Sequence, residues 1–508
     1  MPKGDGRLSH ELDPTIPGPQ DECGVFGVWA PGEEVSKLTY FGMYALQHRG
    51  QEAAGMAVSD GSGITVYKDL GLVSQVFDEQ TLAPLTGHLA VGHTRYSTTG
   101  GPSWENSQPT LMSTTAGTTI ALAHNGNLVN TADLSRELAE RGHDTGGTSS
   151  DSFLAAAMLT ADADESVWSA AMRTLPKLRG AFCLVFCDEQ TLYAARDAQG
   201  VHPLVLGRLD RGWVVASETV ALDIVGATFV REVEPGELIA VDEHGLRSER
   251  WATPDPKGCL FEYVYLARPD STIAGRNVYA ARVEIGRQLA AEHPVDADLV
   301  IPVPESGTPA AIGYAEASGI PYGQGLIKNT YVGRTFIQPS QAIRERGIRL
   351  KLNPLRENIR GKRLVVVDDT IVRGNTQRQV VRLLREAGAL EVHVRISAPP
   401  VTWPCFYGID FATKAELIAN GLDDEGIRRS IGADSLGYVS LDRLVTATEQ
   451  PRNRLCRACF DGEYPIELPA ANLLGKHLLE GLDKRGQAAA PGQAPAGSSA
   501  KALARATK

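Results

Sequence analysis

The pattern of apolar residues changes once along the chain, near residue 255, and this change constrains the fold more than any other feature. Two helical patterns, at residues 131–142 and 150–163, lie among many short strand-like runs before that point. The strand-like runs are residues 22–30, 64–77, 88–98, 119–128, 181–197, 213–222 and 236–245. Many strands with few helices predict an α+β domain of packed layers.

Strands and helices alternate after WATPDPKG, residues 251–258, which is rich in Pro and Gly. The helical patterns are residues 278–293, 308–319 and 375–388, and the strand patterns are residues 297–306, 361–369 and 390–400. This alternation predicts βαβ units around a parallel sheet. We therefore predict two folded domains, 23–257 and 258–475.

The two ends of the sequence differ from the rest in composition. Residues 1–22 are rich in Pro, Gly and charge, which is typical of a flexible leader. Residues 484–508 consist mainly of Ala, Gly, Pro, Gln and basic residues without an acidic one, so we predict a disordered tail.

Composition and charge exclude several classes of protein. The 50 basic and 61 acidic residues give a net charge of −11, which argues against a nucleic-acid partner. No apolar run approaches the ~18 residues of a membrane span, and the N-terminus has no apolar signal region. Seven cysteines in 508 residues are too few for a disulfide scaffold. We expect a cytoplasmic protein with neither a membrane nor a nucleic-acid partner.

The sharpest local signal is the segment 363–384, RLVVVDDTIVRGNTQRQVVRLL. An apolar strand ends on Asp368 and Asp369, and a short loop leads to a helix that we expect to begin at Thr376. A helix N-terminus offers free N–H groups to a phosphate, and Gly374 lets the backbone approach it closely. The two carboxylates can accept hydrogen bonds from sugar hydroxyls or hold Mg²⁺. An ordinary strand–loop–helix connection is the alternative.

Cys23 precedes a series of polar motifs set in strand-like context. These motifs are QHRGQEAAG (47–55), GHTRYST (92–98), HNGNL (124–128) and GGTSSDSF (146–153). An unpartnered polar group is costly in an apolar setting, whereas converging polar groups are what an active site needs. Cys23 is therefore a candidate nucleophile, with a buried structural cysteine as the alternative.

Four cysteines of the second half are candidate metal ligands: Cys259, Cys405, Cys456 and Cys459. A C-x-x-C pair indicates zinc, an iron–sulfur cluster or redox work. The position of Cys456 and Cys459 near the end of the folded region argues against a thioredoxin-like site. Four thiolates suit a zinc ion or a 4Fe-4S cluster, and spacing does not separate the two. We expect Cys183 and Cys187, on an apolar strand, to be core residues.

Two segments of the second half carry a family resemblance. VVVDDTIVRGNT resembles the loop of type I phosphoribosyltransferases that binds 5-phosphoribosyl-1-pyrophosphate (PRPP). LIKNTYVGRTFIQPSQAIRERGIRLKLNPL, residues 326–355, resembles the glutamine PRPP amidotransferases, or amidophosphoribosyltransferases. The chain departs from the usual motifs of that family at Thr330, Thr370 and Asn375. The first half resembles the class II glutamine amidotransferase domain, an N-terminal nucleophile hydrolase.

The resemblance implies roles for residues of the first half. Cys23 would become residue one after removal of the leader 1–22 as a propeptide, so that its free α-amine serves as the base. Asn125 and the Gly126 N–H would form the oxyanion hole. The residues implied to bind glutamine are Arg95, Thr98, Asp151 and Arg49. A buried ion pair is an equally weighted interpretation of Arg49.

The resemblance also implies the ligands of the second half. PRPP would contact Asp368, Asp369, Thr370, Arg373, Gly374, Asn375, Thr376, Lys328 and Arg334. Mg²⁺ would lie at Ser306, Asp368 and Asp369. The leader-bearing branch of the family carries a 4Fe-4S cluster, here on Cys259, Cys405, Cys456 and Cys459. The resemblance thus implies a metal-binding protein that is made as a zymogen, with the leader 1–22 as its propeptide.

The resemblance implies a fold and an activity. The fold would be an N-terminal nucleophile αββα sandwich followed by a Rossmann-like parallel sheet. The activity would be that of a glycosyltransferase in purine biosynthesis, which moves ammonia from glutamine to PRPP and yields 5-phosphoribosylamine, glutamate and pyrophosphate. Purine nucleotides would be feedback inhibitors, and the enzyme would be a homotetramer.

Two other classes of function remain open at this point. Another class II amidotransferase, such as glucosamine-6-phosphate synthase or asparagine synthetase, could share the first half, but neither explains VVVDDTIVRGNT. A PRPP-sensing regulator with a decayed glutaminase is the non-enzyme alternative. The presence of Cys23, Arg95, Asn125 and Asp151 argues against it.

Overall fold

The computed structural model describes residues 23–96, 104–114, 116–143, 150–162, 165–329, 352–409 and 414–469. The leader 1–22 and the tail 484–508 lie outside the described residues, as do Thr98 and Arg334. No helix among the described residues is long and apolar enough to cross a membrane.

The first half of the chain is built mainly of antiparallel strands. In the described residues these are β1 (Gly24–Trp29), β2 (Ala53–Ser59), β3 (Ile64–Leu70), β4 (Leu89–Arg95), β5 (Thr110–Ser113), β6 (Thr119–Leu128), β7 (Gly180–Cys187), β8 (Leu192–Arg196), β9 (Val205–Leu209), β10 (Gly212–Ala216), β11 (Thr228–Glu232), β12 (Glu237–Asp242) and β13 (Gly245–Arg250). One sheet has the order β11-β9-β10-β1-β4-β2-β3, and the other has the order β13-β12-β8-β7-β6-β5.

Helices cover the outer faces of both sheets. They span Val35–Ala45, Val73–Val76, Glu79–Leu82, Thr131–Glu140, Asp151–Thr160, Val167–Thr174 and Thr219–Ile224, with a 3-10 turn at Leu175–Lys177. One apolar core lies between the two sheets, and two others lie between each sheet and its helices. The first half is thus a four-layer αββα sandwich.

Burial on both faces explains the sequences of the central strands. β1 and β7 are almost wholly buried, and they read as continuous apolar runs, GVFGVW and GAFCLVFC. The edge strand β3, ITVYKDL, alternates between half-buried and exposed positions. The central strands of this sandwich therefore lack the alternation of apolar and polar residues that is typical of a sheet with one solvent-exposed face.

The second half is organised around a parallel sheet. Its strands are β14 (Gly258–Cys259), β15 (Thr272–Ile273), β16 (Arg276–Asn277), β17 (Leu299–Pro302), β18 (Leu326–Lys328), β19 (Leu352–Pro354), β20 (Arg363–Asp368), β21 (Glu391–Ile396), β22 (Ser435–Tyr438) and β23 (Leu455–Cys456). The parallel sheet has the order β17-β20-β21-β22, and apolar cores lie on both of its faces.

The helices of the second half connect and cover this sheet. They span Val278–Glu292, Thr308–Ser318, Arg356–Ile359, Asn375–Glu386, Ile418–Gly421, Asp424–Ile431, Leu441–Thr448 and Ala458–Asp461, with a π-helical turn at Glu262–Leu266 and 3-10 turns at Lys414–Glu416 and Arg452–Arg454. Asn375–Glu386 is the crossover from β20 to β21. The carboxyl end of β20 therefore meets the N-terminus of a helix, where α/β sheets bind ligands.

The architecture confirms the predicted fold class, and it corrects two boundaries. The run 64–77 was expected to be strand throughout, but β3 ends at Leu70 and a short helix follows at Val73–Val76. The run 213–222 was likewise expected to be strand throughout, but β10 ends at Ala216 and a helix follows at Thr219–Ile224.

Candidate functional site

Cys23 directly precedes β1 and is buried, with 4% of its surface exposed. Its Sγ donates a hydrogen bond to the Tyr96 carbonyl over 3.2 Å and accepts one from the Tyr96 N–H over 3.4 Å. Burial raises the pKa of the thiol to about 12, although the Tyr96 hydrogen bond and Arg95 oppose the shift. The thiol therefore needs a base to become a nucleophile near neutral pH.

A small pocket, partly open to solvent, surrounds this thiol. It is lined by Cys23, Arg95, Tyr96, Gln108, His124, Gly126, Ser150, Asp151 and Ser152. Four of the residues predicted from the sequence, Cys23, Arg95, Gly126 and Asp151, thus meet in one place. Gln108 was not predicted, because it lies in a loop outside the polar motifs.

Asn125 and Gly126 stand at neighbouring positions of β6 beside this pocket. The Asn125 side chain is fully buried, and neither of its polar atoms has a hydrogen-bond partner among the described residues. Such a buried amide is costly unless a ligand satisfies it. Asn125 therefore has the capacity to donate to an oxygen of a bound molecule.

The backbone at Gly126 has a conformation that favours glycine. Its φ is +136°, and an added Cβ would lie 2.1 Å from the Ala181 carbonyl oxygen. Gly126 pairs with Phe182 of β7. The Phe182 N–H donates to the Asp197 carboxylate, and the Phe182 carbonyl accepts the Asp197 N–H. In an antiparallel ladder this makes Gly126–Phe182 a non-hydrogen-bonded pair, so the Gly126 N–H points away from β7.

Asp151 is the first residue of the helix Asp151–Thr160 and is held in place by backbone donors. Its carboxylate accepts the Leu128 N–H over 3.1 Å and the Ser152 N–H over 2.9 Å. Burial acts to raise its pKa, but the His124 ring and these donors outweigh burial, so the pKa lies below its usual range. A carboxylate and the Arg95 guanidinium in one pocket can bind the two charged groups of an α-amino acid.

Arg49 lies outside the pocket lining, in a buried ion-pair group. Its Nε is 2.5 Å from a Glu218 oxygen, and its Nη2 is 2.6 Å from a Glu262 oxygen. Glu262 belongs to the π-helical turn of the second half. Arg49 thus connects the two halves of the chain, in line with the ion-pair interpretation.

The two acids of the phosphate loop lie at the carboxyl end of β20. The Ser306 hydroxyl donates to Asp369 over 2.6 Å, and the Thr370 hydroxyl donates to the other oxygen of Asp369 over 2.7 Å. The Gln377 amide donates to Asp368. Burial, together with the charge of Asp369, raises the pKa of Asp368 well above its usual range.

The loop that follows leads directly into the helix Asn375–Glu386. Gly374 precedes the helix with φ of +77°, and Asn375 and Thr376 lie in its first turn. The Arg373 guanidinium is 3.2 Å from Glu416, and Lys328 is 3.7 Å from Glu305. The described residues predicted to bind PRPP thus lie near the carboxyl end of β20. They offer hydroxyl groups, backbone and side-chain amides, and the positive charges of Arg373 and Lys328.

The four cysteines of the second half come together from distant positions. Cys259 of β14 is the register partner of Cys456 of β23. Burial raises the pKa of Cys456 to about 12 and raises that of Cys459, and the charge of Cys405 adds to both shifts. Among the described residues no group of three His, Cys, Asp or Glu side chains has the arrangement for a single metal ion.

Two family models match separate parts of the chain. A glutamine amidotransferase domain matches residues 93–223, and a phosphoribosyl transferase domain matches residues 277–398. The first match contains Arg95, Asn125 and Asp151, and the second contains the loop at Asp368 and Asp369.

Relatives and solved structures resemble the chain over most of its length. The amidophosphoribosyltransferase of Mycobacterium tuberculosis is 67% identical over 476 residues, which are 91% of this chain and 90% of that protein. The Bacillus subtilis amidophosphoribosyltransferase is 47% identical and covers 92% and 98%.

Two solved structures share the fold of both halves of the chain. A structure described as the allosteric regulatory enzyme of purine biosynthesis has a TM-score of 0.85 at 46% identity and covers 90% of this chain and 99% of its own. The Bacillus subtilis glutamine PRPP amidotransferase complexed with ADP and GMP has a TM-score of 0.83 at 47% identity and covers 88% and 98%.

Proposed function

The chain belongs to the amidophosphoribosyltransferase family and catalyses glutamine-dependent amidotransfer to PRPP, and we propose that Cys23 and the Asp368–Asp369 pair mark its two reaction centres. The reaction yields 5-phosphoribosylamine, glutamate and pyrophosphate, and it belongs to purine biosynthesis. The observation that carries the residue assignment is the meeting of Cys23, Arg95, Gly126 and Asp151 in one pocket.

Glutamine would bind with its α-carboxylate on Arg95 and its α-ammonium on Asp151. The Cys23 thiolate would attack the side-chain amide, while Asn125 and the Gly126 N–H stabilise the oxyanion. Loss of one such donor costs about 2.7–4 kcal/mol of barrier. Ammonia would leave, and water would then hydrolyse the thioester to glutamate.

Activation of Cys23 is best explained by removal of the leader 1–22. The nitrogen of Cys23 is part of a peptide bond in the full sequence, so it is not basic. A free α-amine has a pKa of ~7.7–8.0 and can take the thiol proton. The thiol pKa of about 12 in its buried setting supports the need for such a base.

The second reaction centre lies at the carboxyl end of β20. Ser306, Asp368 and Asp369 are oxygen ligands of the kind that Mg²⁺ prefers, and their hydrogen-bonded grouping fits that ion. Bound Mg²⁺ would neutralise charge on the departing pyrophosphate. The helix N-terminus after Gly374 would receive the phosphate, and Arg373, Lys328 and Arg334 would supply positive charge.

Cys259, Cys405, Cys456 and Cys459 are proposed to hold a 4Fe-4S cluster. The β14–β23 pairing and the mutual effects of the thiols on their pKa values support a common pocket. A four-iron cluster separates its thiolates more widely than one ion does, which is compatible with the lack of a single-ion arrangement among the described residues. Its role would be to hold the C-terminal segment on the fold.

The remaining proposals concern organisation and regulation. Described residues 251–257 contain no helix or strand, and the family matches lie on either side, which supports domains 23–257 and 258–475. The Bacillus subtilis relative carries ADP and GMP, which supports purine nucleotides as regulators here. The homotetramer and the cytoplasmic location stay predictions from the resemblance.

The residue assignment is tested by Cys23→Ala, expressed from residue 23 onward so that leader removal plays no part. This variant should lose glutamine-dependent activity and retain amidotransfer from external ammonium. Cys187→Ala, which removes a buried thiol away from the pocket, is the matched control and should retain both activities. Glutamine-dependent turnover by Cys23→Ala would contradict the assignment.

A further inference from the structure

A short segment of the second half, Phe406–Gly408, contacts the turn at Gly126, and we call it the bracing segment. The Asn127 side-chain amide donates to the Phe406 carbonyl over 3.0 Å. His202 Nε2 lies 2.6 Å from the Tyr407 carbonyl, which only accepts hydrogen bonds, so this nitrogen carries the proton. Two side chains of the first half thus hold the backbone of the second.

Gly408 brings the two backbones into direct contact. An added Cβ at Gly408 would lie 3.3 Å from Gly126 Cα and 3.0 Å from His202 Nε2. On its other side Gly126 abuts Ala181, whose carbonyl oxygen leaves no room for a Cβ. Gly126 is therefore packed between β7 and the bracing segment.

The bracing segment is itself anchored firmly in the second half. Tyr407 is 1% exposed, and its hydroxyl donates to the Ile466 carbonyl over 2.7 Å. The Tyr407 N–H donates to Cys405 Sγ over 3.4 Å. The Tyr464 hydroxyl donates to the Pro404 carbonyl over 2.7 Å. Movement of the bracing segment would break these buried hydrogen bonds, so the segment is held rigidly.

We propose that the bracing segment sets the position of the Gly126 N–H, and that Asn127, His202 and Gly408 are positioning residues for glutamine hydrolysis. This inference rests on the proposed role of Gly126 as an oxyanion donor. An oxyanion donor works only at hydrogen-bond distance from the developing charge, so small displacements matter. The second half thereby takes part in the first reaction without contacting glutamine.

The test compares Asn127→Ala and Gly408→Ala with the control Gly245→Ala in the full-length enzyme. Gly245 also has positive φ, +105°, but no atom lies within 4 Å of an added Cβ. The readouts are kcat and KM for glutamine, the rate with external ammonium, and inhibition by glutamate γ-semialdehyde. This aldehyde forms a tetrahedral adduct with a thiol and thus reports on oxyanion donors, whereas glutamate reports on ordinary binding.

Both variants should lower glutaminase kcat by roughly 10- to 100-fold, the range expected for a displaced catalytic group. Affinity for the aldehyde should fall in parallel, while affinity for glutamate and the ammonium rate stay unchanged. Gly245→Ala should match the wild type. If Gly408→Ala fails to fold, Asn127→Ala and His202→Ala decide the matter.

Equal loss of aldehyde and glutamate affinity, or wild-type kinetics in the folded variants, would overturn the inference. A wild-type enzyme that binds the aldehyde no better than glutamate would instead refute the proposed oxyanion role of Gly126. The two failures are therefore distinguishable.

Discussion

At the scale of single residues, the pocket around Cys23 combines burial with opposite charges. Asp151 keeps a low pKa in spite of burial because backbone N–H groups and His124 stabilise its charge. Arg95 lines the same pocket and is 3% exposed. An ionised carboxylate held in this way is prepared for a cation, here the α-ammonium of glutamine.

The variant Asp151→Asn should therefore weaken glutamine use. Charge-assisted hydrogen bonds contribute about 1.5–3 kcal/mol, so kcat/KM for glutamine should fall roughly 10- to 100-fold. Steady-state kinetics should show the loss mainly in KM, with the ammonium-dependent rate intact. The control Asp133→Asn, on an exposed helix position, should behave as wild type. An unchanged KM in Asp151→Asn would refute its role.

At the scale of elements, periodicity predicted the parallel-sheet half better than the sandwich. The helix Asn375–Glu386 has a clear apolar face, and the pattern at 375–388 predicted it to within two residues. The helix Val35–Ala45 was missed because it carries several aromatic residues and exposes Phe41 and Tyr44, which blurs its apolar face. The prediction of strand throughout 64–77 was wrong because the stretch rich in strand-forming residues continues into a one-turn helix. The conformation of so short a helix depends on tertiary contacts.

The same limit applies to the sites. Polar motifs in strand-like context indicated a site in the first half, and the family resemblance then implied roles for Cys23, Arg95, Gly126 and Asp151, which the pocket brings together. Gln108 carried no such signal, and its amide reaches His124 and Ser152 only in the folded chain. The partnership of Arg49 with Glu262 joins residues 213 positions apart, which no local pattern reveals.

The junction between the phosphate loop and its helix gives a prediction at the element scale. In Gly374→Ala, positive φ becomes strained and the new Cβ lies 2.7 Å from Ile418 Cδ1, so the loop should shift. KM for PRPP should rise at least severalfold, while glutamine hydrolysis without PRPP stays unchanged.

Gly319→Ala is the matched control for this change. Gly319 has φ of +73° against +77° at Gly374, and no atom lies within 4 Å of an added Cβ. Its kinetics with PRPP should equal those of the wild type. PRPP kinetics that are the same in Gly374→Ala and Gly319→Ala would contradict phosphate binding at this loop.

At the scale of the whole molecule, the two halves are joined by buried polar contacts as well as by the chain. Arg49 pairs with Glu218 of the first half and Glu262 of the second. Near the C-terminus, β23 pairs with β14 at the start of the second half, and Cys456 faces Cys259. The proposed cluster would reinforce this closure, because a site formed only in the folded state stabilises that state.

The variant Cys456→Ser should therefore contain little iron and be less stable, by at least the ~2–4 kcal/mol typical of one disulfide. Iron analysis and denaturant unfolding measure the two effects, and proteolysis should cleave first near the C-terminus. Cys183→Ser, at a buried cysteine of β7, should keep its iron. Stoichiometric zinc without iron in wild-type protein purified without air would contradict the cluster assignment and indicate a four-thiolate zinc site instead.

The central claim is that one chain couples glutamine hydrolysis to amination of PRPP. The most direct measurement is the ratio of glutamate to pyrophosphate formed by the mature enzyme with glutamine, PRPP and Mg²⁺. The account predicts equal amounts of both products, with no pyrophosphate when both glutamine and ammonium are omitted. Glutamate formed at full rate without pyrophosphate, or pyrophosphate formed without a nitrogen donor, would contradict it.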